Sequence, residues 1–300
     1  MWRICSDKPN KRALPLLLAA LAALLLAAAP ATAAAAPRKD VPKRIVALTP
    51  FAANTLARLG VTPVGIGQTL GGAERFSPKL KRVEVLPLSH PNGPNLEQLA
   101  SLDPDLVLSS PIWAKGNQAM RGLGIRVVIR EPRSIAGALA DTYKIGELVG
   151  RRKRARAMLK RMRAQARAAE AGITAHPKVM VILGVGRTPF VMLPNSWGGD
   201  IVTKAGGELM TGGVTAGSGF ERISDEVVVA ENPDIIIAVP HANEDDIPSL
   251  AEYLRSNPAW STTTAAQTGR VYISVDNSLL QAGTDIARTI RKVRRAYLKN

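Results

Sequence analysis

From Lys43 onward, short apolar runs alternate with stretches whose apolar residues recur every three or four positions. The first kind suits buried strands, and the second suits helices with one buried face. "RIVAL" (44–48), "PVGIG" (63–67), 105–109 and 125–130 are expected strands of the first half. Helices are expected over "FAANTLARLG", stopped by Gly60, over 95–102 and near 115–122. The second half restarts in the same way, with "KVMVILG" (178–184) echoing "KRIVALT" and a helix over 198–206 stopped by Gly206 and Gly207. Strands over 234–239 and 271–275 and helices over 224–231, 246–255 and 283–298 complete it. Such alternation predicts an α/β chain of two similar halves, each with a parallel sheet flanked by helices.

Between the halves, residues 134–171 contain no proline and only Gly137, Gly146 and Gly150 as breakers. Ile145, Leu148, Val149, Leu159, Met162 and Ala166 follow helical spacing there. The segment is therefore expected to be a single long α-helix of about 50 Å that joins the two halves. The expected divisions are 37–133 for the first lobe, 134–172 for the linking helix and 173–300 for the second lobe, with 1–36 set apart.

Residues 1–36 read as a secretory signal: a short basic start, the apolar run "ALPLLLAALAALLLAAA", then small residues, with cleavage expected within Ala33–Ala36. A single N-terminal anchor helix is the alternative, although the run lies at the lower limit for spanning a bilayer. The one cysteine, Cys5, lies in that segment, which leaves the remainder without thiol for a disulfide or a thiolate metal site. No second long apolar run follows, so no membrane insertion is expected after cleavage; export without disulfides suits a bacterial periplasm, and a monomer is expected. The net charge of +16 raises nucleic acid, anionic membrane surfaces and anionic ligands as partners. Export argues against nucleic acid. Much of that charge sits in "RRKRARAMLKRMRAQAR" (151–167) and in 288–299, where a solvated helix face is the plain reading.

One construction occurs twice. "NLEQLASLDPDLVLSS" (95–110) and "SDEVVVAENPDIIIAV" (224–239) each place a glutamate just inside a short helix that leads through a Pro-Asp pair into a buried strand. Glu97 precedes Pro104, and Glu226 precedes Pro233, by the same seven positions. Asn95 and Ser224 are good helix caps, and a carboxylate in a first turn is favoured by the helix dipole, by about 0.3–1 kcal/mol. Helix stability alone would explain either glutamate; the matched pair asks for more.

These segments, with "KRIVALTPFAANTLARLG" at the start and "NPAWSTTTAAQTGRVYIS" near the end, resemble a known family. The chain is similar to periplasmic binding proteins of the helical-backbone type that serve iron-siderophore, haem and cobalamin ABC importers. The resemblance covers about residues 43–298. It implies two Rossmann-like lobes with parallel sheets joined by one rigid α-helix, with the ligand held in the cleft between the lobes; no catalytic residues and no covalent cofactor are expected. It also implies one docking glutamate per lobe, Glu97 and Glu226, each received by the permease dimer. The transported ligand would be a metal chelate: a ferric siderophore first, then cobalamin or haem.

In doubly wound sheets ligands sit beyond the carboxyl ends of the strands. That rule, with the resemblance, selects Phe51, His90, Trp113, Arg187, Trp197, His241 and Gln281 as ligand-binding candidates. Aromatic walls with a few polar groups suit a bulky chelate, while core packing is the alternative for both tryptophans. Trp260 is assigned to packing. Arg75, Arg187 and Arg222 could meet anionic chelates. The four tyrosines, Tyr143, Tyr253, Tyr272 and Tyr297, all fall in expected helices or strands, which leaves an axial haem tyrosine unfilled and histidine ligation open. No resident metal is expected, since "NEDD" beside His241 reads as a helix start. The rival class, an exported hydrolase, needs a Gly-x-Ser-x-Gly turn, and "AGSGF" (216–220) lacks that spacing.

Overall fold

A computed structural model describes residues 41–68, 76–185, 188–214, 217–240, 246–274 and 277–299. The first lobe holds β1 (Ile45–Ala47), α1 (Pro50–Leu59), β2 (Gly65–Gly67), β3 (Glu84–Leu86), the short pair β4 (Leu88–Ser89) and β5 (Gly93–Pro94), α2 (Leu96–Ser101), β6 (Leu106–Ser109), α3 (Ala114–Gly122) and β7 (Val127–Ile129). Its sheet runs β3-β2-β1-β6-β7, parallel at every pairing, with Val46 opposite Gly65 on one side and Val107 on the other. β1 and β6 are buried throughout and apolar except for Ser109 at the end of β6, as strands covered on both faces are. α1 begins where the Thr49 side chain accepts from the Ala52 N–H at 3.2 Å and Pro50 presets the first turn. It ends at Gly60, whose φ of 76° is open to glycine at no cost.

The link differs from the expected single helix. It is two helices, α4 (Ile135–Leu148) and α5 (Arg152–Glu170), broken at Gly150, where φ is 66°. α5 doubles back along α4. The crossing is so close that a Cβ on Gly146 would lie 2.4 Å from the Ala155 Cβ, so glycine at 146 is what lets the two helices meet. Glu147 and Arg152 bridge the turn at 3.0 Å. α5 is therefore about 28 Å long rather than about 50 Å. The periodicity was correct for each helix; the break depends on a left-handed residue and a helix contact that spacing alone does not encode.

The second lobe contains β8 (Lys178–Val185), β9 (Thr188–Met192), α6 (Trp197–Ala205), β10 (Glu208–Leu209), β11 (Phe220–Arg222), α7 (Asp225–Glu231), β12 (Ile235–Pro240), α8 (Asp246–Ser256), α9 (Thr264–Gln267), β13 (Val271–Ile273) and α10 (Ile286–Val293). β8, β12 and β13 are parallel neighbours, and β10 runs parallel to the start of β8. β9 and β11 are antiparallel, so this sheet is mixed and departs from the parallel sheet expected. The reason lies in β8: at eight residues it outlasts β10, and its second half pairs with the returning β9.

The paired helices tie the two lobes into one core. α4 packs on α1, and α5 packs on α10. Ile145, Ala155, Met158 and Met162 belong to an apolar cluster that also contains Ile45 and Leu108 of the first lobe and Val239 and Ile290 of the second. Arg294 closes the far end, donating to the carbonyls of Ala171, at 2.9 Å, and Gly172. Among the described residues, no helix is long and apolar enough to cross a membrane.

Candidate functional site

The carboxyl ends of the strands place Thr49, Ser110 and Glu131 on the first lobe, and Pro240 and the 277–281 segment on the second. Under the first-lobe rim, Ser109 donates to Asn117 Oδ1 at 2.6 Å, and Asn117 Nδ2 donates to the Ser110 carbonyl at 2.7 Å. All three side chains are buried, which fixes the end of β6. The Ser110 hydroxyl accepts from the Ile112 N–H at 3.1 Å and donates to Glu131. Burial pushes the Glu131 carboxyl above its ordinary value, against the opposing pull of that hydroxyl and of Arg133. Sequence reasoning passed over Glu131, although "IREPRS" set an acid beside a proline directly after a strand.

The lobes touch beside this rim. Arg133 donates to the Ser218 carbonyl at 2.7 Å, and the first N–H of α4, on Ile135, is capped by Asp200 Oδ2 at 2.6 Å. Asp200 stands in the first turn of α6, so one carboxylate serves two helix starts, one from the link and one from the second lobe. Neighbouring Arg130 lies 3.7 Å from Asp141, whose carboxyl is pushed up chiefly by burial.

Three aromatic candidates are core residues and offer a ligand no surface. Phe51 is 1% exposed within α1, packed in the same cluster as Ile45 and Leu56. Trp113 is 2% exposed among Val46, Leu86, Leu99 and Met120. Trp197 is 3% exposed and is the first residue of α6, where its indole N–H donates to the Ser278 carbonyl at 2.9 Å. Each follows a strand in sequence, but each turns inward because a large ring gains about 1.5–3 kcal/mol by full burial. Trp260 is packed as expected, at 2% exposure.

His90 is exposed, with its ring centroid 6.3 Å from that of Trp113. Gln281 is partly buried, and its side-chain oxygen has no partner among the described residues. That oxygen is itself enclosed, so it offers no open surface to a ligand. Arg187 and His241, like Arg75, lie outside the described residues. Among the described residues no group of three His, Cys, Asp or Glu side chains could hold a metal ion.

The two repeated glutamates do appear at matching places, each exposed in the first turn of its helix, α2 or α7. The Asn95 side chain caps α2, accepting from the Gln98 N–H at 2.9 Å. Ser224 departs from the expected capping role: it makes no cap to the α7 backbone, and its hydroxyl instead bonds Glu226. That bond, with the backbone N–H of Glu226 itself, holds the Glu226 carboxyl below its ordinary range.

A family model described as periplasmic binding protein matches residues 45–276. The chain belongs to the periplasmic binding protein family. Within that family, a cobalamin-binding protein of Halobacterium salinarum is 30% identical over 263 residues, covering 85% of this chain and 69% of that protein. The Fe(3+) dicitrate-binding periplasmic protein FecB of Escherichia coli is 27% identical, covering 79% and 78%. Among solved structures, an ABC transporter substrate-binding protein from Listeria monocytogenes superposes with a TM-score of 0.76 at 22% identity, over 87% of this chain and all of that one. IsdE of Staphylococcus aureus complexed with heme gives 0.73 at 23% identity, over 85% and 99%. The fold of this periplasmic binding protein is thus that of two-lobed relatives across nearly the whole described chain.

Proposed function

We propose that this protein captures a metal chelate between its lobes in the periplasm and delivers it to the permease dimer of an ABC importer, acting as a monomer. The observation that carries the reading is the family match over 45–276, joined to a matched pair of exposed glutamates, Glu97 and Glu226, one on each lobe. A two-fold permease presents the same docking surface twice, and a two-lobed protein with an internal repeat can meet it twice. Each carboxylate then forms charge-assisted contacts with arginines of the permease. Because the shared core stiffens the link, delivery relies on small shifts between the two glutamate turns rather than on wide opening.

For the ligand, the relative at 30% identity and 85% coverage supports a corrinoid. A ferric chelate, first in the sequence reading, is the second reading, supported by the 27% relative. Haem stands third. Glu131, partly exposed at the strand-end rim, supplies a polar contact in this reading, while the buried Ser110, Phe51, Trp113 and Trp197 supply only the scaffold.

Two measurements test the proposal. Titration of the purified protein with cyanocobalamin, ferric citrate and haem should give saturable one-to-one binding with one of them; saturation by none removes the chelate reading. In cells, Glu97→Ala with Glu226→Ala should abolish uptake of that ligand while its Kd stays within about twofold. Full uptake by the double variant removes the docking role.

A further inference from the structure

The strongest chemistry outside the cleft lies on the link. α4 and α5 leave between them a groove of about 810 Å³. Its floor is apolar, with Leu139 and Leu159, and its walls carry Lys144 from α4 and Arg156, Lys160, Arg163 and Arg167 from α5. The one acid on the wall, Glu147, is already paired with Arg152. Tyr143 stands among the cations, with the Arg156 guanidinium 6.0 Å from its ring centre and 3.5 Å from its hydroxyl.

The four α5 cations fall at steps of four, three and four residues, which sets them in one row about 16 Å long. All four are exposed. Like charges at these spacings repel and weaken a helix, and α5 has no acid before its last residue, Glu170, to offset them. A row kept under that repulsion, beside a preformed groove, is arranged for an extended anion. A single phosphate would meet one or two of these groups, whereas linked phosphates match the row, and guanidinium groups bind phosphate in paired hydrogen bonds.

We propose that the α4–α5 groove is a binding site for an oligophosphate-type polyanion, separate from the ligand cleft and from the two glutamate turns. None of its wall residues belongs to a strand-end loop, to α2 or to α7. Occupancy would relieve the repulsion within α5 and so firm the link between the lobes, because a ligand that binds only the folded state stabilises it.

Calorimetric titration of the intact protein with tripolyphosphate, at matched ionic strength, tests the site. One-to-one binding is expected, weakening steeply as salt rises. Arg163→Gln with Arg167→Gln should weaken it by about tenfold or more. Without tripolyphosphate, that variant should melt at the same temperature as the wild type or higher, since repulsion has been removed; a lower melting temperature overturns the repulsion argument. No tripolyphosphate binding, or equal binding by the variant, overturns the site. Binding only to phosphatidylglycerol vesicles overturns it as well, and assigns the basic face to a lipid surface.

Discussion

The two glutamate turns look alike from outside and are held by different means. In the first lobe the turn is secured locally: Asn95 caps α2, and Gln98 reaches Glu84 at 3.1 Å. The end of that helix is pinned by Arg44, which donates to the Leu102 carbonyl at 2.6 Å and the Asp103 carbonyl at 2.9 Å. In the second lobe the first turn is secured from a distance. Asp225, next to Glu226, accepts from Tyr253 at 2.8 Å, Asn257 at 2.7 Å and the Trp260 indole at 2.7 Å. Burial opposes its ionisation, but the three donors together keep its carboxyl below the ordinary range. The same carboxylate, with burial first, pushes the Tyr253 phenol up to about 12. One surface feature can thus rest on a few neighbouring residues or on contacts some thirty positions away.

Removing the distant support should have the largest effect. Trp260→Ala is expected to cost about 3–5 kcal/mol in denaturant unfolding, as full removal of a buried indole does. It should also speed amide exchange in α7 while leaving α2 unchanged; equal loosening of both turns would break the contrast. Asp225→Asn should cost about 1–2 kcal/mol at neutral pH, since the group is only partly buried and its charge-assisted bonds are partly screened. The sign with pH follows from its lowered value. Its stabilisation is present above the ordinary carboxylate value of 3.8 and is lost as pH falls through the lower folded-state value. Unfolding free energy measured downward from about pH 6 should therefore drop less steeply in Asp225→Asn than in the wild type.

Asn95→Ala, the matching change in the first lobe, should cost about 1 kcal/mol, the usual worth of a helix cap. It should loosen α2 alone. The smallest expected effect has the opposite sign and lies at the rim. Glu131 is held above its ordinary value of 4.5, so its contribution is greatest when protonated, below that value, and is lost as pH rises through the folded-state value. Glu131→Gln should raise the melting temperature slightly at neutral pH, with the gain vanishing in acid. A loss at neutral pH would mean that the ionised carboxylate has a partner beyond Ser110 and Arg133.

Much of this was legible in the residues. Runs such as Ile235–Val239 can only be buried strands, and Gly60 and Gly206 stop helices where left-handed residues are needed. The two glutamate turns could be found because cap, acid and Pro-Asp stop all lie within ten residues of each other. Short-range patterns of this kind survive in the one-dimensional chain because neighbours in sequence are already neighbours in space. What the sequence left open depended on residues far apart. The break at Gly150 rests on the fit of Gly146 against Ala155, and β9 and β11 turn antiparallel because β8 runs past β10. Phe51, Trp113 and Trp197 sit after strands as cleft residues would, yet burial drew them inside. Glu131 gained its raised carboxyl only through burial at the rim, against the opposing pull of Ser110 and Arg133. Local spacing therefore determined the elements and the paired turns, while packing between distant segments decided which side chains face a ligand.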